Sequence, residues 1–170
     1  MMTKPQYFYF LISVLILSNG ISQTTNDQSA TEFDDEIRFE KTNGKETATY
    51  EEVMAFYNAA DRFSSKIQIK EYANTDIGLP LQVISYKTAT TKENAIHVLI
   101  NNGIHPGEPD GIDASMLMLK DIINKKISIP EHLVLHMIPA YNIGGMLHRN
   151  STSRANQNGP KAYGFRGNAR

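Results

Sequence analysis

The sequence predicts an α/β fold, a mixed β-sheet flanked by helices, present here in incomplete form. Three observations point to it. Residues 50–64 carry an amphipathic helical pattern that opens with a capping signal, and two alternating stretches over 66–87 read as an antiparallel hairpin. A nearly continuous apolar, β-branched run at 95–100 is followed by a second helical pattern and another apolar run. Strand, helix and strand in that length form a parallel βαβ unit.

The first residues stand apart from the fold. Met1-Met-Thr-Lys-Pro-Gln6 has one positive charge, residues 7–17 are almost wholly apolar, and Ser18-Asn-Gly-Ile-Ser22 is small and polar. That order is a secretory signal peptide over residues 1–22, with cleavage expected between Ser22 and Gln23. The apolar run is shorter than the roughly 20 residues a bilayer-spanning helix needs, so no membrane span is expected once the signal is removed. The expected location is outside the cytoplasm, extracellular or periplasmic. The chain has no cysteine, so an exported fold relies on its core, and on any metal, rather than on disulfides. A lipid-attachment cysteine is missing as well.

In 170 residues with 41% hydrophobic and 21% charged content there is enough material for one real core. A net charge of -1 gives no broad electrostatic reason to bind nucleic acid or anionic lipid. No basic stripe with interleaved aromatics is present, so nucleic acid is not expected as a partner.

Residues 23–45 are polar and read as a leader or poorly ordered lead-in, with a short ordered turn from Phe33 to Phe39. Thr49-Tyr-Glu-Glu52 has the form of a capping box. Val53, Phe56, Tyr57, Ala60 and Phe63 then recur at helical spacing. Lys66-Ile-Gln-Ile-Lys-Glu-Tyr72 alternates as a half-buried strand does, Asn74-Thr-Asp-Ile-Gly78 is turn chemistry, and residues 79–87 form the second strand of a hairpin at the edge of a sheet. The run at 95–100 reads as a strand buried on both faces. Pro109 suits the first turn of a helix over 110–124, which presents Ile112, Met116, Leu117, Leu119 and Ile123. Pro130 precedes the strand Leu133-Val-Leu-His-Met-Ile138. From Pro139 to Arg170 the periodicity stops, and Asn142-Ile-Gly-Gly145, residues 149–154 and Asn156-Gln-Asn-Gly-Pro160 have loop composition.

The candidate chemistry lies just past the buried run, in Asn102-Gly-Ile-His-Pro-Gly-Glu108. Open α/β sheets bind ligands at the carboxyl ends of their strands. His105 and Glu108, a histidine and a carboxylate three residues apart on a tight turn, suit a divalent metal. A catalytic zinc takes three protein ligands and leaves one position for water. Local features leave a second reading open, in which Glu108 is a carboxylate favoured at a helix start beside an incidental histidine.

The segment Gly103-Ile-His-Pro-Gly-Glu-Pro-Asp-Gly111, with the apolar helix after it, resembles the zinc-ligand segment of the zinc carboxypeptidase family, the carboxypeptidase A-like metallopeptidases. The resemblance spans residues 49–170 in element order. It includes Pro139-Ala-Tyr-Asn-Ile-Gly-Gly145, similar to the family's Asn and Gly segment, and Asn158-Gly-Pro160 with Gly164-Phe-Arg166, similar to its aromatic-Arg segment. It implies that His105 and Glu108 are two ligands of one catalytic Zn2+. Arg166 matches the arginine that polarises the scissile carbonyl and stabilises the oxyanion. It also implies hydrolysis of C-terminal peptide bonds by a zinc-activated water, with peptide or protein C-termini as substrates.

Two departures accompany the resemblance. Gly107 stands where the family's digestive enzymes carry a substrate-contacting arginine. The family's Asn-Arg pair for the terminal carboxylate, its third zinc ligand and its general-base Glu have no counterpart up to Arg170, so the sequence reads as an N-terminal fragment, inactive alone. Of the other histidines, His97 and His136 read as packed or edge residues of strands and His132 as a loop residue. Only His148 is a candidate third ligand. The alternatives are a related zinc amide hydrolase acting on acylated amino acids or cell-wall peptides, and a non-catalytic binding domain of the same fold.

Overall fold

The computed structural model describes residues 32–88, 94–152 and 160–167. The expected signal peptide, its cleavage point, residues 23–31, Arg154 and residues 156–159 lie outside them. The described chain contains α1 (Arg38–Lys41), α2 (Tyr50–Phe63), β1 (Ile67–Asn74), β2 (Pro80–Tyr86), β3 (Ile96–Asn101), α3 (Asp110–Ile123), β4 (Leu133–Ile138) and α4 (Ile143–Leu147). The four strands make one mixed sheet in the order β1-β2-β4-β3. Both contacts of β2 are antiparallel, and β3 runs parallel to β4.

Helix α2 begins as its sequence requires. Thr49 accepts a hydrogen bond from the Glu52 amide at 3.3 Å, and Glu52 accepts one from the Thr49 amide at 2.8 Å. Its apolar stripe buries Val53, Phe56, Tyr57 and Ala60. Phe63, at the last position, is only partly covered, although its ring lies 5.3 Å from that of Phe33. The hairpin turns through Gly78, whose positive φ of 81° glycine adopts without strain.

Ile67, Ile84, Tyr86, Leu135 and Met137 pack with the apolar faces of α2 and α3 into one core, in which Met116, Leu119 and Ile112 are fully enclosed. Phe33 and Ile37 belong to that core too. The described part of the polar lead-in therefore packs against the domain. Arg38 ties it down further, reaching Glu52 at 2.6 and 2.9 Å and Glu46 at 2.9 Å.

One expectation is corrected. Strand β3 is not buried on both faces: Ile96 is 57% and Leu99 59% exposed. Among the described residues β3 has a neighbour only on its β4 side, and Ile100 is its one side chain packed on the core. A continuous apolar run reports what a strand is suited to contact, and here the contacts exist on one side only. A second correction concerns the tail after Pro139, which is not structureless. It contains α4, started by Asn142, whose side chain accepts a hydrogen bond from the Gly145 amide at 2.8 Å.

Candidate metal centre and its cleft

The parallel pair β3 and β4 continues past its formal ends and so builds the floor of the site. The Asn102 amide donates to the Ile138 carbonyl, the Tyr141 amide to the Asn102 carbonyl, and the Asn142 amide to the Gly103 carbonyl, at 3.1, 2.8 and 3.0 Å. The Asn102 side chain is buried and donates to Ser115 Oγ of α3 at 2.9 Å. Gly103 has a φ of 64°, and a Cβ there would come within 3.2 Å of the Ala140 backbone. Only glycine turns the chain at this point without displacing it.

The turn that follows carries His105 and Glu108, closed by the Glu108 amide donating to the His105 carbonyl at 2.8 Å. Pro106 between them is fully buried. The two candidate ligands are both partly exposed, with His105 Nδ1 and Glu108 Oε2 3.7 Å apart. Donors bonded to one tetrahedral zinc at 2.0–2.2 Å lie about 3.4 Å from each other, and this nitrogen–oxygen pair stands slightly wider than that. No group of three His, Cys, Asp or Glu side chains able to hold a metal occurs among the described residues. His148 Nδ1 is engaged with the Gly144 carbonyl at 2.8 Å.

Arg166 reaches the same place from 61 residues further along. Residues 163–167 are strapped under the ligand turn. The Gly164 amide donates to the Pro106 carbonyl at 3.1 Å and the Phe165 amide to the Gly145 carbonyl at 2.7 Å. Asn142 Nδ2 donates to the Gly167 carbonyl at 3.0 Å. The approach is so close that a Cβ on Gly164 would strike Pro106, and one on Gly145 would strike the Phe165 carbonyl.

The result is a cleft of about 400 Å³ lined by His105, Arg166, Ile104, Tyr141 and Asn142 and by the hairpin turn residues Thr75 and Asp76. His105 and Arg166 thus share one cleft, while Glu108 approaches His105 from the turn beside it. A larger hollow of about 820 Å³, walled by Thr47, Asp110, Asp113 and Leu117, contains none of the three candidate residues.

Arg149 and Asp113 were not singled out by the sequence; Arg149 ties the strap at Ala162 to residues 47 and 48, and Asp113 holds Ala48. The Arg149 guanidinium donates to the carbonyls of Ala48, Thr47 and Ala162 at 2.9, 3.1 and 2.8 Å. Burial pulls its pKa below the ordinary value. Asp113 accepts from the Ala48 amide at 3.3 Å, and burial raises its carboxyl above the usual range. The polar stretch around Arg149 conceals it, because nothing in its pattern shows which side chains turn inward. Asn142 had a visible signal, an N-cap type just before a Gly-Gly pair.

Comparison with solved structures places this architecture. The chain is similar to the carboxypeptidase A of Helicoverpa armigera with a TM-score of 0.54 and 17% identity, over 59% of this chain and 26% of that one. The metallo-carboxypeptidase of Burkholderia cenocepacia gives a TM-score of 0.51 and 20% identity, over 59% and 28%. The fold is zinc carboxypeptidase-like. Bovine thrombin-activatable fibrinolysis inhibitor, solved in complex with a tick carboxypeptidase inhibitor, gives 0.51 and 14%, over 65% and 39%. The chain spans only about a quarter of the first two structures. No protein-family model matches its sequence, and no curated protein matches it. Among the described residues, no helix is long and apolar enough to cross a membrane.

Proposed function

We propose that this chain forms part of the catalytic site of a secreted zinc metallocarboxypeptidase, which removes residues from the C-termini of peptides or proteins. The observation that carries the reading is the meeting of His105, its neighbour Glu108 and Arg166 at the carboxyl end of β3, within a zinc carboxypeptidase-like fold.

His105, in its neutral form, and Glu108, as a carboxylate, would hold zinc. The metal's chemistry when bound is to acidify a water and polarise a carbonyl. Arg166 would donate hydrogen bonds to the carbonyl oxygen of the scissile peptide and meet the negative charge that grows there. A guanidinium suits this role because it stays charged and presents several donors. One such donor is worth about 3 kcal/mol of barrier. Tyr141, Asn142 and the β1–β2 turn residues Thr75 and Asp76 line the cleft, giving a peptide's terminal residue a bounded place to lie.

The test has two parts. Equilibrium dialysis of the chain against Zn2+ should show uptake that His105→Ala abolishes; undiminished zinc in that variant would sink the ligand assignment. The natural protein that contains this chain should cleave an N-acyl dipeptide with a free C-terminus and spare its C-terminal amide. Equal cleavage of both would favour the zinc amide hydrolase reading, and no cleavage with zinc bound would favour a binding domain.

A further inference from the structure

Three neighbouring strands meet through their side chains on the sheet face opposite the core. Ser85 of β2 stands directly across from His136 of β4 in the antiparallel register, and His97 lies on the parallel neighbour β3. Ser85 Oγ is 2.8 Å from His136 Nδ1, and His136 Nε2 is 2.8 Å from His97 Nδ1. The second contact is a head-on hydrogen bond between two imidazoles whose planes lie within 11° of each other. His136 is half-buried and His97 exposed. Among the described residues β4 is the only strand beside β3, so these side-chain bonds tie the edge strand to the sheet.

From this geometry we infer an acid-opened latch: when both imidazoles are charged, the His97–His136 bond breaks and β3 loosens from β4. An N–H···N bond needs one facing nitrogen with a proton and one without. The neutral pair meets that need in either arrangement of tautomers. One added proton leaves the bond intact, because His97 Nε2, or His136 Nδ1 beside Ser85, takes it. A second proton puts hydrogen on both facing nitrogens and sets two positive charges side by side. The bond is then impossible, and the charges repel.

The surroundings offer the second charge no counterion. On this face β2 sets the uncharged Ser85 beside His136, β3 sets Leu99 across from it, and β4 itself adds Val134 and Ile138. Lys70, further off on β1, lies over the Tyr72 ring. Burial, and then His97, hold the His136 pKa below its ordinary value. The folded protein therefore takes up that proton less readily than the unfolded chain. The resulting stabilisation is complete above the ordinary value of 6.5 and is lost as pH falls through the lowered one. Opening has a direction in the fold. β3 runs through Asn102 and Gly103 into the turn that carries His105, so a released β3 loosens the support of that turn.

The experiment follows the metal-free chain by NMR from about pH 8 to about pH 5, the range in which histidines titrate. It reads the imidazole nitrogens and the amide hydrogen exchange, corrected for the intrinsic effect of pH. The Ile96 and Asn102 amides report on β3, because they donate to the His132 and Ile138 carbonyls at its two ends, at 2.7 and 3.1 Å. Their opening should rise about tenfold as the second proton enters, with core amides of α3 little changed. His97→Gln keeps a hydrogen-bonding side chain without the charge, so the rise should vanish and the His136 titration should move up. His136→Gln should remove the rise as well; if that half-buried variant fails to fold, His97→Gln at its exposed position decides alone. Opening at Ile96 and Asn102 that ignores pH would overturn the latch. So would an equal rise in His97→Gln, or a rise shared by every amide, which is global acid unfolding. Because no metal is present, the outcome does not depend on the zinc reading.

Discussion

Replacing Gly145 by alanine tests how Arg166 is brought to its cleft. The new Cβ would meet the Phe165 carbonyl and lie 2.8 Å from both Asn142 Nδ2 and the Gly167 carbonyl. Two of those atoms belong to the strap, so it must lift. Overpacking of this kind costs about 1–3 kcal/mol. Lifting also endangers the bonds from the Phe165 amide to Gly145 and from Asn142 to Gly167, each worth about 1 kcal/mol. Alanine returns somewhat under 1 kcal/mol through its better helix propensity in α4. The net expectation is about 2 kcal/mol, falling mainly on residues 163–167 because the core beneath shares none of these contacts. Hydrogen exchange should find the Phe165 amide opening about 30-fold more often, with core amides of α3 little changed. Thermal melting should drop by about 4–8 °C where strap and core melt together. Unchanged protection at Phe165 together with an unchanged melting temperature would refute the claim that glycine at 145 is required by contact with the strap.

Two further outcomes follow from the packing and the charges. Met116→Ala empties a fully enclosed core position and should cost about 2–5 kcal/mol, read as a lower urea midpoint at unchanged slope. The Arg38 guanidinium, through its hydrogen bonds, holds the Glu52 carboxyl down to about 2 from an ordinary 4.5. A depressed carboxyl stabilises the fold above the unfolded value, so that contribution should be complete above about pH 4.5 and fade as pH falls toward 2. The Glu52 side chain is 43% exposed, and solvent screening reduces the effect to about 1 kcal/mol. Arg38→Gln should flatten this part of the stability–pH curve, and a curve of undiminished slope would show that the pair contributes nothing.

How much of this was legible in the sequence depended on whether a residue's partner is near in sequence or far. Thr49 and Glu52 solve a local problem, four orphan amides at a helix start, and the pattern announces the solution because both partners lie within one turn. Period likewise defined β1, β2 and α3, whose faces are set by side chains two or four positions apart, and β4 was read from a short apolar run. Strand β3 shows where period stops helping. Its apolar run describes what it can contact, while burial depends on which elements lie across it, and β4 alone flanks it among the described residues. An ordered turn was legible at residues 33–39, but the burial of Phe33 and Ile37 was not, because two apolar residues in a polar stretch carry no period yet find the core. The metal turn was legible for a third reason. His105 and Glu108 are three residues apart, and a two-ligand arrangement needs only a turn to form. Arg166 needed everything else: a left-handed Gly103, an α4 that presents the Gly145 carbonyl, and a Gly164 bare enough to slide under Pro106. Each of those glycines looks like loop composition until a backbone 20 to 60 residues away is laid against it. Resemblance to a family could nominate Arg166 because a family's pattern stores such long-range contacts, which spacing within one sequence does not record.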